Sequence, residues 1–101
     1  MRLTGRLRNN IEYCLTQSFP ENSEMLLFGS RADDSKKGGD FDIAVKTDMP
    51  ADEFKKRKIK FFTELMKMNL VLKIDLVQYK DGMDELLKSE IQRDGIKLNA
   101  H

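Results

Sequence analysis

Leu26-Leu27-Phe28-Gly29-Ser30-Arg31, then a polar stretch, then Gly38-Gly39-Asp40-Phe41-Asp42-Ile43-Ala44-Val45: the reading of these residues decides the rest of the chain. An apolar run stops abruptly at Gly-Ser. Residues rich in Asp, Ser, Lys and Gly follow, and a second apolar run opens with two acids one residue apart. Side chains alternate faces along a strand, so Asp40 and Asp42 share one face, while Phe41, Ile43 and Val45 share the other and look into a core. Two carboxylates side by side repel each other unless a positive charge sits between them. A divalent metal is the natural solution, and hard oxygen donors suit Mg²⁺.

Working outward, Leu3, Leu7, Ile11, Cys14, Leu15 and Phe19 recur at helical spacing and predict a helix over about residues 4 to 17, closed by Pro20. Met25 to Phe28 reads as a buried strand, and Phe41 to Lys46 as a second one. Asp48 and Pro50 mark the start of a helix running to about Met68, with Asp52 and Glu53 in its first turn. Phe54, Phe61, Leu65 and Met68 form one apolar row on it, and Ile59, Phe62 and Met66 the adjacent row; together they predict a broad apolar face. Lys55, Lys56, Arg57, Lys58 and Lys60 load the other side; the run is open to nucleic acid or an acidic partner, and its plainer reading is the solvated face of an amphipathic helix. Leu70 to Tyr79 is the third strand. A last helix is expected over about residues 82 to 93, with Asp81 as N-cap and Asp84 completing a partial capping box. Ile96 to Leu98 suggests a short edge segment. The order α-β-β-α-β-α predicts an α+β domain over residues 1–101, a small mixed β-sheet with helices packed on one side.

Composition narrows the function classes. With 101 residues there is room for one core. A net charge of +1 provides no overall field for a polyanion, so nucleic acid would need a local patch and is left open. Cys14 is the single cysteine, which excludes an internal disulfide. The one histidine is His101, which argues against a Ser-His-Asp triad. No apolar run reaches transmembrane length, and the basic start, Met1 to Arg8, lacks the apolar segment of a secretory signal; the expectation is a cytoplasmic protein away from membranes.

Three anomalies carry the chemistry. Gly29-Ser30 at a strand end lets backbone N–H groups approach a phosphate, with the Ser30 hydroxyl and the Arg31 guanidinium as added donors. Taken alone this is an ordinary strand-to-helix turn. Asp42 sits inside a strand pattern, where Asp is disfavoured. Asp75 interrupts Leu70-Val71-Leu72-Lys73-Ile74-Asp75-Leu76-Val77, the most strand-like run in the chain; its bland reading is a core-edge acid paired with Lys73 or a neighbouring strand's lysine. If the third strand lies beside the second, Asp75 faces Asp42, and three acids converge beside the Gly-Ser turn. Three carboxylates can hold two divalent ions about 3.5–4 Å apart, the arrangement that clamps the attacking and leaving oxygens of a phosphoryl or nucleotidyl transfer.

Gly29-Ser30-Arg31-Ala32, Asp40-Phe41-Asp42-Ile43-Ala44-Val45 and Ile74-Asp75-Leu76-Val77 resemble the polymerase-β-type nucleotidyltransferase superfamily, and more narrowly the minimal nucleotidyltransferases of prokaryotes. The resemblance implies the nucleotidyltransferase fold and nucleotide binding at Gly29 and Ser30, with Arg31 matching the family sequence. It implies catalytic and metal-binding roles for Asp40, Asp42 and Asp75. It also implies two Mg²⁺ ions, with Mn²⁺ as a substitute, and transfer of a nucleoside monophosphate from an NTP, ATP for preference, with release of pyrophosphate. Minimal members work with a separate helical subunit of the HEPN class, often as the antitoxin of a toxin–antitoxin pair; a homodimer is equally compatible. Two other classes stay open: a non-catalytic module of the same fold that neutralises or scaffolds a partner, and a small RNA-binding α/β domain whose binding would need no metal.

Overall fold

The computed structural model describes residues 5–28, 40–70 and 73–98. Within them the elements are α1 (Gly5–Ser18), β1 (Glu24–Phe28), β2 (Asp40–Lys46), α2 (Ala51–Lys67), β3 (Lys73–Tyr79), α3 (Glu85–Asp94) and β4 (Ile96–Leu98). The strands form one mixed sheet in the order β3-β2-β1-β4. β1 is antiparallel to both β2 and β4, and β2 is parallel to β3. A parallel neighbour needs a crossover, and α2 is that crossover. The expected elements are present, and the edge segment forms β4. Residues 71–72, expected in the third strand, lie outside the described residues, as does Leu3 of the first helix.

The main core is built by period-two and period-3.6 patterns meeting. Phe41, Ile43 and Val45 of β2, Ile74 and Leu76 of β3 and Met25 and Leu27 of β1 pack with Ile11, Cys14 and Leu15 of α1 and Phe54, Phe61 and Leu65 of α2. Where α1 ends, Ser18 Oγ donates to the Cys14 carbonyl at 2.8 Å and the Phe19 N–H to that of Leu15 at 2.9 Å. Phe19 then stacks at a tilt on Phe54, ring centroids 5.5 Å apart, joining the two helices.

One expectation about the helices is corrected. α1 and α2 lie on the face of Phe41 and Ile43, but α3 lies on the other face, where Ile91, Leu87 and Met83 pack on Phe28, Ala44, Val77 and Tyr79. The reason is that the centre of the sheet is apolar on both sides: Ala44 is fully buried and Phe28 nearly so. A second layer must cover them.

One helix start is also corrected, while α2 ends with its C-cap at Met68, as expected. α3 starts later than expected, because Asp81 and Gly82 form a turn, with Gly82 at φ 89° and the Met83 N–H directed at the Lys80 carbonyl at 3.4 Å. The N-cap is therefore Asp84, whose carboxylate accepts from the Leu87 N–H at 3.2 Å. Asp81 instead takes an ion pair from Lys88 at 3.1 Å. At the C-terminus of α2, Asn69 adopts φ 58°. Its N–H bonds to the Met66 carbonyl and the Leu70 N–H to that of Leu65, both at 3.0 Å. That pairing is a Schellman motif, which satisfies carbonyls the helix leaves unbonded.

Of the second apolar row of α2, Phe62 alone packs against the core. Phe61 is fully buried, but Ile59 is 60% exposed and Met66 70%. No helix among the described residues is long and apolar enough to cross a membrane.

Candidate active site

β2 and β3 decide the site. Their parallel register pairs Asp40 with Lys73, Asp42 with Asp75 and Ala44 with Val77. Paired residues on neighbouring strands project to the same side, about 4.8 Å apart. Ala44 and Val77 belong to the α3 face, so by alternation Asp42 and Asp75 belong to it as well. In the antiparallel pairing with β1, Phe28 stands opposite Asp42. Phe28, Asp42 and Asp75 thus form one row across the sheet, and Gly29 follows Phe28 directly in the chain.

Of the sequence-derived site residues, this arrangement brings together Asp42 and Asp75. Asp42 is half-buried and Asp75 exposed. The backbone of Asp40 lies two residues before Asp42 at the start of β2, paired with Lys73; its side chain is outside the described residues. Gly29, Ser30 and Arg31 lie outside them entirely. Asp75 makes no ion pair among the described residues, so the bland reading, a carboxylate tied to Lys73, is not what is found. Lys73, opposite Asp40 and exposed, is a cation at the margin of the site that residue patterns did not single out. Its signal was the two-residue offset from Asp75, the same offset that relates Asp40 to Asp42.

No group of three or more metal-ligating side chains occurs among the described residues. The described part of the site is the Asp42–Asp75 pair. Two carboxylates from neighbouring strands are a hard, anionic donor set, suited to Mg²⁺ and unsuited to metals that prefer sulfur or imidazole.

A cavity of about 490 Å³ opens at the other end of β2 and β3, lined by Lys46, Thr47, Asp48, Tyr79, Lys80 and Asp81 with Asn22 and Glu24. Lys46 lies four residues beyond Asp42, about 13 Å along the strand. The cavity mixes three acids with two lysines, and the Tyr79 ring carries the Lys46 and Lys88 ammoniums at 5.4 and 5.8 Å. That lining has no consistent sign for a polyphosphate. The acid pair, with Asp75 exposed and Asp42 half-buried, concentrates charge of one sign on one face.

The chain is similar to the polymerase beta nucleotidyltransferase family, whose model matches residues 9–100, from within α1 to past β4. No curated protein matches the chain.

Proposed function

The chain belongs to the polymerase beta nucleotidyltransferase family, and from that premise we propose that it moves a nucleoside monophosphate from an NTP, ATP in our reading, to an acceptor hydroxyl, releasing pyrophosphate. The observation that supports this most is the register that sets Asp42 beside Asp75 on one face of the sheet. Asp42 and Asp75, with Asp40, would hold divalent cations, Mg²⁺ or Mn²⁺. Such ions, when bound, neutralise charge on the reacting phosphates. Asp75, the more exposed of the described pair, would accept the proton of the arriving hydroxyl. Gly29 and Ser30 would grip the triphosphate through backbone N–H groups and the serine hydroxyl, with Arg31 as a further donor.

The acceptor half of the reaction rests on the resemblance to minimal nucleotidyltransferases. We propose a cytoplasmic protein that works with a separate helical subunit of the HEPN class as the antitoxin of a toxin–antitoxin pair, the acceptor hydroxyl lying on that subunit. The competing reading is a non-catalytic module that neutralises its partner by contact. Incubation with α-³²P-labelled NTPs, Mg²⁺ and the co-purifying partner separates the two. Label on the partner, lost in Asp40→Asn/Asp42→Asn, supports transfer. Full neutralisation of the partner by that double variant, with no label on the wild-type reaction, supports the module.

A further inference from the structure

α2 carries an apolar stripe that no described element covers. At about 100° per residue, Ile59, Phe62 and Met66 fall along one flank of the helix. Arg57, which donates to the Ser18 carbonyl of α1 at 3.3 Å, falls on the opposite flank. The stripe therefore faces away from α1. Phe62 is half-buried and anchors it to the core, edge-on to Phe61 with ring centroids 5.3 Å apart. Ile59 and Met66 stand out into solvent. Spacings of three and four residues are those by which one helix lays its apolar side on another.

The charge around the stripe identifies what fits it. α2 has six basic and three acidic residues, on a chain whose net charge is only +1. Two of the acids, Glu53 and Glu64, already pair within the helix with Arg57 and Lys67. Lys55, expected on the side away from the apolar rows, lies within the stripe's arc, and Lys58 and Lys56 lie on its two margins. None of these three makes an ion pair among the described residues. Asp52, in the first turn, is the acidic exception.

We propose that this flank of α2 docks an acidic amphipathic helix of a partner protein. The partner's apolar ridge would cover Ile59, Phe62 and Met66, and its carboxylates would meet Lys55, Lys56 and Lys58. A second copy of this chain fits less well, because a two-fold axis through the stripe brings the same lysines together. Nucleic acid would use the lysines but leave Ile59 and Met66 facing phosphates and water. The inference adds a surface to the partner reading above, and it does not depend on the transfer chemistry.

The probe is a fluorescein-labelled synthetic peptide of about 20 residues, long enough to be helical, with Leu at helical spacing and Glu elsewhere. A twin carries Lys in place of Glu. The Glu peptide should bind the full chain by anisotropy, and Ile59→Ser/Met66→Ser and Lys55→Glu/Lys58→Glu should each weaken it at least about tenfold, with unchanged far-UV ellipticity. Asp42→Asn should bind like the wild type, so loss of transfer and loss of docking are read separately. The proposal is overturned if the Glu peptide fails to bind, if both double variants bind it fully, or if the Lys twin binds as well. It is also overturned if poly(U) displaces the peptide, or if the wild type sediments as a dimer that Met66→Ser makes monomeric; these last two assign the stripe to nucleic acid and to a second copy.

Discussion

Asp42 and Asp75 are register partners on adjacent parallel strands. The pairing sets them on the sheet face opposite Phe41 and Ile74, which are buried against the helices. A slip of one residue would turn one carboxylate into the apolar core and one core side chain out. The buried residues on either side thus hold the two acids together, although neither acid contributes to the core.

Neutralising either acid should abolish most transfer without unfolding the domain. Asp42→Asn and Asp75→Asn are each expected to lower the rate of pyrophosphate release by about two to three orders of magnitude, the usual effect of removing a group that stabilises transition-state charge. Asp75 is exposed, so Asp75→Asn should change unfolding stability by no more than about 0.5 kcal/mol; Asp42 is half-buried, and Asp42→Asn should cost about 1 kcal/mol while leaving the domain folded. A variant that keeps more than about a tenth of the wild-type rate would remove that side chain from the site.

Mg²⁺ should raise the melting temperature of the wild type in a concentration-dependent way, because a ligand that binds the folded state alone stabilises it. Asp42→Asn/Asp75→Asn should show no such rise, and EDTA should return the wild type to its metal-free value. Differential scanning fluorimetry over a Mg²⁺ series reads this directly, and an equal response from both proteins would refute cation binding at the pair.

Cys14 provides a pH test. Burial, with a smaller contribution from the charge of Glu64, raises its thiol from 9.0 to about 11. The S–H is directed at the Met68 sulfur at 3.4 Å. The unfolded chain loses this proton near pH 9 and the folded chain near pH 11. Stability from this source is therefore complete below pH 9 and declines as pH rises from about 9 to about 11. Urea midpoints should show that alkaline decline in the wild type and a shallower one in Cys14→Ala. In the native protein at pH 8, the thiol should react with a disulfide reagent far more slowly than after unfolding.

Phe61 and Ile59, two residues apart on α2, should respond oppositely to truncation. Phe61→Ala removes a fully buried ring and is expected to cost about 3–5 kcal/mol. Ile59→Ala removes an exposed side chain and should stay within about 0.5 kcal/mol. Denaturant unfolding of both variants checks the pair. A large loss at Ile59 would mean that a neighbour covers it.

Two backbone positions should differ in sign. A β-carbon at Gly95 would run into the backbone carbonyl oxygen of Ile91, which already accepts the Gly95 N–H at 2.8 Å. Gly95→Ala should therefore destabilise by about 1–3 kcal/mol, the range for forced overpacking. Asn69, at φ 58°, occupies the position where glycine is the usual helix stop. Asn69→Gly should be neutral to stabilising, and Asn69→Val destabilising by about 1–2 kcal/mol. Thermal melts of the three variants decide the signs.

Element order and strand faces were legible because they depend on local periodicity. Phe41, Ile43 and Val45, and Ile74 and Leu76, all lie on the core side that alternation predicts. The misreadings come from places where a neighbour decides. Asp81 has the sequence signature of an N-cap, but Gly82 turns the chain and passes the role to Asp84. Ile59 and Met66 have the periodicity of a core row, yet the sheet and α1 meet α2 on its other side. The position of α3 was not legible either, because Ala44 and Phe28 look like any buried strand residues until their face is known.

Alternation along single segments, a property of covalent geometry, let the sequence alone place Asp40 with Asp42 and oppose them to Phe41 and Ile43. It could pair Asp42 with Asp75 only on the condition that the third strand lies beside the second. That pairing is between residues far apart in the chain and depends on which strands become neighbours, in which direction and in what register. Those choices are made by burial of both strands' apolar sides under α1 and α2, and only the tertiary structure contains them.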